Sequence, residues 1–421
     1  MNILFLALGN YASINRRGIY LDLLRVFIKN GHEVYIVTSL EADSPDPFKL
    51  IKEPGSHLLK VKTGRITKTN IIEKGINTLL IEKRYIKAIE QHFSGVKFDL
   101  VLYPTPPITF LNVVQYIKGR DHAQAYLMLK DIFPQNAVDI GMMKKSGVKG
   151  VAYRYFRKKE KRLYAVSDHI GCMSQANVDY LLKHDPEIDP QKIEICPNST
   201  EIEDKSVSGA VRDQIREKYG IPADKKVYIY GGNLGKPQGI PFLIKCLKEA
   251  RDIEDAFFLI VGAGTEFGKI ETYLNTSGQE NARLMKRLPK EDYDAMVGAC
   301  DVGMIFLDHR FTIPNFPSRL LSCMQAKLPV LAVTDPNTDV GKTVVDGGFG
   351  WWVESNDAQA FADTVRAINA RDDFSEMKER EFAFLKEHYS VETTYAVIRD
   401  ALGWEDGKTA EKTDREAVTV Q

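Results

Sequence analysis

Short apolar runs alternate with amphipathic stretches along most of the chain. Residues 19–30 have helical spacing, with Leu21, Leu24 and Phe27 on one face and Gly31 after the last turn. Runs typical of buried strands in the first half cover residues 2–8, 33–38, 98–104, 123–129 and 168–174. This strand–helix–strand order predicts a mainly parallel α/β sheet.

A second alternating pattern follows in the other half of the chain. Its strand-like runs cover residues 226–232, 256–264, 282–288 and 301–307, with helical stretches at 241–250, 266–275 and 290–299. A polar segment between the two patterns, residues 201–210, has the composition of a linker. The chain therefore predicts two successive doubly wound domains, 1–200 and 205–385, and a charged tail, 403–421, that we expect to be disordered.

One segment late in the second pattern has the features of an anion-binding turn. A loop with Pro314 and Pro317 leads into a short amphipathic helix, and Ser318 stands where the helix N-cap belongs. The free N–H groups and positive dipole end of a helix start suit a phosphate group. An ordinary helix–strand unit of a parallel sheet is the alternative interpretation.

Charge is distributed unevenly although the whole chain is neutral. Residues 1–200 contain 29 Lys and Arg against 20 Asp and Glu, a net charge of +9, and the remainder carries −9. Such a basic half suits a nucleic acid, an anionic membrane or a lipid-linked phosphate, and a solvated face is the alternative. The five cysteines are scattered, which indicates buried thiols rather than a zinc site. No apolar run reaches the length of a membrane span.

Three glycine-rich segments are candidates for phosphate binding. Residues 262–268 lack the third glycine of a dinucleotide fingerprint, because Phe267 takes its place, and Pro336 occupies the first glycine position of a P-loop ending at Thr343. Residues 230–239 follow a strand, precede a helix and contain Lys236, so they could bring backbone amides and a cation to a diphosphate. A plain strand-to-helix turn is the alternative for this third segment.

Four segments together resemble a known enzyme family. They are LFLALGNYASINRRGIYLDLLR (4–25), DIFPQNA (131–137), GNLGKPQG (232–239) and PSRLLSCMQAKLPVLA (317–332). In order and spacing they are similar to retaining GT-B glycosyltransferases of the large family that builds capsular, O-antigen and exopolysaccharide sugars, glycosyltransferase family 4-like proteins of the surface-polysaccharide branch. The resemblance implies two Rossmann-like domains that face each other across a cleft, with residues 386–402 crossing back to the first domain.

The resemblance also implies roles for individual residues. Asp131 would position or deprotonate the acceptor, and a helix-capping aspartate is the alternative. The donor diphosphate and sugar would contact Gly18, Gly232, Asn233, Lys236, Gln238, Asn315, Pro317, Ser318, Arg319 and Ser322, with Arg287 and Leu288 at the base. The acceptor side would contain Asn10, Arg17, Tyr103, Thr105 and Gln135.

This chain departs from the family pattern at four positions. The two glutamates of the family's donor segment align with Pro314 and Ser322, and the basic pair of its glycine-rich loop aligns with Asn233 and Gln238. Lys236 is the residue that could supply the missing charge. The lost acids leave open a non-catalytic GT-B subunit that scaffolds an assembly complex, and a nucleotide-sugar 2-epimerase is a rival within the same fold.

The implied activity is transfer of a sugar, an N-acetylated or deoxy hexosamine, from a UDP-type donor to a lipid-linked oligosaccharide on a polyprenyl diphosphate. No cofactor or dedicated metal is expected, because cations and helix N-termini can neutralise the leaving diphosphate. A basic–aromatic stretch at 144–162 and a basic stretch interleaved with isoleucines at 60–74 predict contact with the inner face of the cell membrane, with no nucleic-acid partner. The implied location is cytoplasmic and peripherally membrane-attached.

Overall fold

A computed structural model describes residues 1–40, 44–64, 71–147 and 149–404, with the backbone alone for 71–79 and 149. Two compact units divide the chain. Among the described residues, the first contains those of 1–134, 145–201 and 391–404, and the second contains 135–144 and 202–390. The short segment 135–144 thus packs with the second unit, although the sequence pattern placed it in the first domain. The predicted disordered tail lies outside the described residues from 405 onward.

Eight strands and six helices are described before the linker. They are the strands β1 (Asn2–Leu6), β2 (Glu33–Leu40), β3 (Phe48–Glu53), β4 (Ser56–Lys62), β5 (Leu100–Thr105), β6 (Gln124–Leu129), β7 (His169–Cys172) and β8 (Ile193–Ile195), and the helices α1 (Ile19–Lys29), α2 (Ile71–His92), α3 (Leu111–Asp121), α4 (Gln135–Asp139), α5 (Lys149–Val166) and α6 (Gln175–His184).

The strands and helices after the linker continue the alternation. They are the strands β9 (Lys226–Asn233), β10 (Ala256–Ala263), β11 (Ala282–Lys286), β12 (Val302–Phe306), β13 (Val330–Thr334) and β14 (Gly350–Glu354), and the helices α7 (Gly209–Tyr219), α8 (Ile240–Glu249), α9 (Phe267–Ser277), α10 (Lys290–Gly298), α11 (Arg319–Gln325), α12 (Val340–Asp346), α13 (Ala358–Asn369), α14 (Ser375–His388) and α15 (Val391–Ala401).

The sheet of the first unit has the order β3-β4-β2-β1-β5-β6-β7-β8. Every pairing is parallel except β3 with β4. Strand order reverses between β1 and β5, so the loops after these two strands start side by side. The edge strand β3 and its neighbour β4 were not predicted, because their lysines look like a basic surface segment.

Helix α15 belongs to the first unit, as the resemblance implied for the end of the chain. It packs on α1, where the rings of Phe27 and Tyr395 meet edge to face at 4.9 Å. The Tyr395 hydroxyl also lies 3.0 Å from His32 Nε2. These contacts bury residues from two ends of the sequence in one apolar core, which stabilises the first unit through burial of apolar surface.

The sheet of the second unit is parallel throughout, with the order β11-β10-β9-β12-β13-β14. Its core is formed by the apolar strands and by the inward faces of α8 and α13. Strand order reverses between β9 and β12, which places the loops after these strands next to each other. The predicted α/β fold class with two doubly wound sheets is confirmed. Over the described residues, no helix is both long and apolar enough to cross a membrane.

Candidate active site

The second unit brings two loops together where its strand order reverses. The β9–α8 loop, residues 234–239, follows β9, and the β12–α11 loop, residues 307–318, follows β12. The Asp308 amide donates a hydrogen bond to the Pro237 carbonyl over 3.0 Å. In open α/β sheets, ligands bind in the crevice outside the carboxyl ends of the strands at this point. The geometry therefore marks this edge of the second sheet as a candidate site.

Two residues that replace the family's basic pair shape the β9–α8 loop. The Gln238 side-chain carbonyl accepts hydrogen bonds from the Gly235 amide at 3.2 Å and from Asn233 Nδ2 at 3.1 Å. Lys236 lies between them with an exposed side chain. Asn233 and Gln238 thus fix the backbone of the loop, and Lys236 can reach a ligand through solvent.

Arg319 lies against the end of β9. Its guanidinium carbon is 4.4 Å from the centre of the Tyr230 ring, within the range of a cation–π contact. Burial raises the pKa of the Tyr230 hydroxyl, and the charge of Arg319 opposes that rise. Gly232 has φ 117°, and a methyl group added there would lie 3.8 Å from Arg319 Nη2. A bare, exposed backbone and a cation thus stand side by side, an arrangement suited to an anionic group.

Tyr293, on α10, covers the neighbouring glycine. A methyl group added at Gly231 would lie 1.8 Å from the Tyr293 hydroxyl oxygen, so the ring can stay in place only above a glycine. Burial raises the pKa of Tyr293. Sequence reasoning missed Tyr230 and Tyr293, and the paired glycines 231 and 232 were the available signal that something approaches this strand end.

Side chains of the loop after β13 donate hydrogen bonds to the β12–α11 loop. Asn337 Nδ2 donates to the Phe311 carbonyl over 2.6 Å, and Thr338 Oγ1 donates to the Asn315 carbonyl. The buried carboxylate of Asp335 accepts the amides of Asn337 at 2.9 Å and Thr338 at 3.2 Å. Burial raises the pKa of Asp335 to about 6, and these hydrogen bonds oppose the rise.

The predicted helix start at Ser318 is present, but the predicted capping bond is not. Ser318 has helical backbone angles and makes no side-chain hydrogen bond to the helix. Its hydroxyl is exposed and Ser322 is half-buried, one turn further along α11. Asn315 and Pro317, also half-buried, precede Ser318 on the same loop. The predicted donor residues of this segment are therefore consecutive with Arg319.

The predicted base-binding pair follows the edge strand β11. Arg287 is exposed and Leu288 is half-buried. Because β9, β10 and β11 are parallel neighbours, this turn lies at the same carboxyl edge of the sheet as the β9–α8 loop. The structure thus places the predicted donor residues 232–238, 287–288 and 315–322 at one edge of the second unit.

In the first unit, Gly18 and Arg17 already have intramolecular partners. The buried carboxylate of Asp22 accepts the Gly18 amide at 3.0 Å and Arg25 Nη2 at 2.6 Å. Arg17 Nε lies 3.5 Å from Asp22 Oδ1, and Arg17 Nη1 lies 3.5 Å from Glu201 Oε2. The Gly18 amide is therefore bonded to a carboxylate, and the predicted contact of Gly18 with the donor stays a prediction. The exposed Asn10 lines a surface cavity of about 520 Å³ with Tyr11, Arg16 and Arg17.

The predicted acceptor residues of the next strands differ in their surroundings. Asp131 follows β6, and its carbonyl accepts a hydrogen bond from Thr105 Oγ1 over 3.1 Å. Tyr103 is wholly buried and lies 2.7 Å from Ser167 Oγ, so its assignment to the acceptor side is corrected to a core position. Gln135 belongs to the second unit and donates to Asp139 Oδ1 over 2.6 Å.

The basic helix α5 presents only some of its cations to solvent. Lys159 is buried 2.6 Å from Glu82, and Arg157 is paired with Glu160 and Asp185. The exposed face carries Arg154, Lys158 and Arg162 beside Val151 and Tyr155.

The other predicted basic stretch is partly used by the fold. Lys60 is buried, and Lys62 Nζ donates to the Ser44 carbonyl over 2.7 Å. Residues 65–70 and the side chains of 71–79 lie outside the described part of the chain.

Comparison with known proteins identifies similar enzymes. Residues 211–380 match the family described as Glycosyl transferases group 1. The probable glycosyltransferase WbjE of Pseudomonas aeruginosa is 24% identical over 309 residues, 73% of this chain and 74% of that protein. The putative colanic acid biosynthesis glycosyl transferase WcaI of Escherichia coli K12 is 27% identical over 137 residues, 32% of either chain. On these matches the protein is a transferase enzyme of the glycosyltransferase class.

Solved structures share the fold over nearly the whole chain. Sucrose-phosphate synthase from Thermosynechococcus elongatus superposes with a TM-score of 0.73 at 16% identity, covering 96% of this chain and 98% of that one. Anabaena Alr3699/HepE, solved in complex with UDP, gives a TM-score of 0.66 at 14% identity, covering 96% and 100%. At such identities the likeness is one of fold, and that fold is GT-B.

The raised pKa of Asp335 makes a prediction about stability. Because the folded-state pKa of about 6 exceeds the ordinary value of 3.8, the folded protein holds an extra proton between these pH values. The contribution of Asp335 to stability should therefore fall as pH rises from about 4 to 6 and level off above. Asp335→Asn lacks this titration, so its stability relative to wild type should rise by about 2–3 kcal/mol across that window. Urea midpoints measured at several pH values check this, and parallel curves for the two proteins would contradict it.

Proposed function

We propose that the protein transfers a sugar from a UDP-type nucleotide donor, with retention of anomeric configuration, to a lipid-linked oligosaccharide in bacterial surface polysaccharide synthesis. The observation that carries the proposal is the juxtaposition of Gly232 and Arg319 at the strand-order reversal of the second unit. This unit contains the residues that match Glycosyl transferases group 1. A relative named for colanic acid biosynthesis and a fold neighbour solved with UDP support the proposal.

Neutralisation of the leaving diphosphate is the main task proposed for the donor residues. Charge builds up on the diphosphate as the sugar–oxygen bond breaks, and fixed positive groups stabilise that charge in the transition state. Arg319, held against Tyr230, provides a positioned cation. The backbone near Gly232 and the exposed charge of Lys236 complete the set. These groups would stabilise the negative charge on the diphosphate, as a bound metal ion does in other transferases.

Smaller polar groups would recognise the sugar and the nucleoside. Ser318 and Asn315 offer a hydroxyl and an amide beside Arg319, and Ser322 stands where related sequences have a glutamate. A hydroxyl makes a weaker single contact to ribose than a carboxylate does. We therefore propose a donor held mainly by its diphosphate, with the turn at Arg287 and Leu288 next to the base. The transferred sugar proposed is an N-acetylated or deoxy hexosamine.

On the acceptor side, we propose that Asp131 positions or deprotonates the attacking hydroxyl. It follows β6 at the carboxyl edge of the first sheet, and Thr105 holds its backbone. Asn10 and the surface cavity near Arg16 and Arg17 would bind the acceptor's polar groups. General base catalysis contributes about 10²–10⁴-fold to such a step.

We further propose that the exposed face of α5 attaches the protein to an anionic membrane surface. Arg154, Lys158 and Arg162 recur at every fourth residue, and Val151 is 58% and Tyr155 46% exposed beside them. Cations attract anionic headgroups, and an exposed aromatic ring inserts at the level of the headgroups. Such attachment would keep the enzyme at the surface where its lipid-linked acceptor lies.

Transfer itself can be measured with a panel of radiolabelled UDP-sugars and a membrane lipid extract. We expect label to enter the lipid fraction with release of UDP, and NMR of the product should show the donor's anomeric configuration. Asp131→Asn should lower the rate by about 10²–10⁴-fold with UDP affinity unchanged. UDP binding without transfer would instead favour a non-catalytic subunit, and conversion of the donor sugar without any acceptor would favour an epimerase.

Arg319→Ala should weaken UDP binding by about 10- to 100-fold, because a charge-assisted contact to the diphosphate is lost. Arg366→Ala is the matched control. It also removes one cation from the second unit, but Arg366 lies on α13, half-exposed and paired with Asp363. Isothermal titration calorimetry with UDP compares the three proteins. Equal affinities for wild type and Arg319→Ala would show that the diphosphate binds elsewhere.

The triple variant Arg154→Gln, Lys158→Gln, Arg162→Gln should lose about 100-fold in binding to anionic vesicles, since each cation contributes about 1 kcal/mol. A control with Lys218, Lys269 and Lys290 changed to Gln removes the same charge from the second unit, where these lysines are exposed and paired. Cosedimentation with phosphatidylglycerol and with phosphatidylcholine vesicles separates the cases. Equal losses of vesicle binding in the two triple variants would contradict the proposal, because they would show that the α5 cations act only through the net charge of the protein.

A further inference from the structure

Helix α4 is bonded to the middle of the β12–α11 loop. Asp139, its last residue, accepts the Thr312 amide over 2.8 Å and lies 2.9 and 3.0 Å from the Thr312 hydroxyl with its two carboxylate oxygens. Gln135 Nε2, one turn earlier on α4, donates to Asp139 Oδ1 over 2.6 Å and also reaches Thr312 Oγ1 at 3.3 Å. One side chain thus collects hydrogen bonds from both the backbone and the side chain of Thr312.

The rest of the β12–α11 loop is held by a contact within the loop itself and by the loop after β13. At its start, Arg310 forms a two-pronged ion pair with Asp308, with contacts of 2.8 and 2.7 Å. At Phe311 and Asn315, backbone carbonyls accept bonds from the loop after β13. Thr312 lies between these anchors, and its amide is directed to α4 instead. Asp139 therefore supplies a tether from a different part of the chain to the loop that leads to Arg319.

Two properties distinguish this tether from a core contact. Thr312 is exposed and Asp139 half-buried, so its bonds compete with water and can open at a modest free-energy cost. In addition, α4 follows directly on the segment 131–134, which begins with the proposed acceptor residue Asp131. The chain therefore passes from Asp131 into the second unit through α4, the helix that is bonded to the β12–α11 loop.

We propose that Asp139 is a positioning residue. Through Thr312 it holds the β12–α11 loop in the conformation that presents residues 315–319 to the donor. The inference deepens the proposed function and rests on it for the identity of the ligand. Loss of the tether lets the loop sample other conformations, so the donor must order it on binding, and affinity falls by that ordering cost. Nucleotide binding at the loop in turn orders α4.

Hydrogen–deuterium exchange of the full-length protein without ligand tests the tether itself. In Asp139→Ala, peptides covering residues 309–318 should exchange about fivefold to tenfold faster than in wild type. Thr312→Val keeps the amide and loses the hydroxyl, so its effect should be smaller, and Thr312→Ser should match wild type. Melting temperatures should stay within a few degrees of one another in this series. Unchanged exchange of 309–318 in a folded Asp139→Ala overturns the proposal.

A second arm repeats the exchange with saturating UDP. In wild type and Thr312→Ser, UDP should slow exchange in residues 135–144 as well as in 309–318, whereas in Asp139→Ala the protection of 135–144 should be lost. Calorimetry should show UDP affinity about three- to tenfold weaker in Asp139→Ala. Protection of 135–144 by UDP that survives in Asp139→Ala overturns the coupling. Absence of UDP binding in wild type, with the ligand-free tether intact, refutes the proposed donor and leaves the tether standing.

Discussion

The close approach of side chains to the bare end of β9 is the constraint on which the candidate site depends. Tyr293 and Arg319 come from different elements and meet the strand where Gly231 and Gly232 carry no side chain. A methyl group on Gly231 would overlap the Tyr293 hydroxyl, so the ring, the strand and the cation form one packed arrangement. Because this arrangement lies where the strand order reverses, it stands at the position where open α/β sheets bind their ligands.

Hydrogen bonds in the surrounding loops fix the positions of the residues near this strand end. Gln238 and Asn233 fix the loop after β9, and the buried Asp335 organises the turn whose side chains hold Phe311 and Asn315. Asp139 adds a weaker tether at Thr312. Each bond is modest by itself. Together they limit the conformations of the segment before Arg319, and a preordered loop lowers the entropy that a ligand must overcome on binding.

The first unit uses its own charges largely for its internal structure. Asp22 satisfies the first turn of α1 and pairs with Arg25, and Lys159 and Arg157 on α5 are neutralised by buried acids. The cations in these pairs are therefore not available to a partner, although pairing leaves the net charge of the sequence unchanged. The proposed membrane and acceptor contacts depend on two groups of cations, those on the exposed face of α5 and the arginines at the cavity near Asn10.

The sequence by itself determined the α/β class, the two sheets and the position of the loops proposed to bind the donor, because hydrophobic periodicity and glycine or proline positions reflect local backbone physics. It also gave the position of Ser318 before α11, though not the absence of a capping bond. Only the tertiary structure decided which polar residues pair with each other. In the sequence Tyr103 resembles any tyrosine near the end of a strand, yet its side chain is buried and hydrogen-bonded to Ser167. Tyr293, Asp335 and Asp139 gave no local signal, because their roles depend on partners distant in sequence, and such contacts are fixed by packing rather than by periodicity.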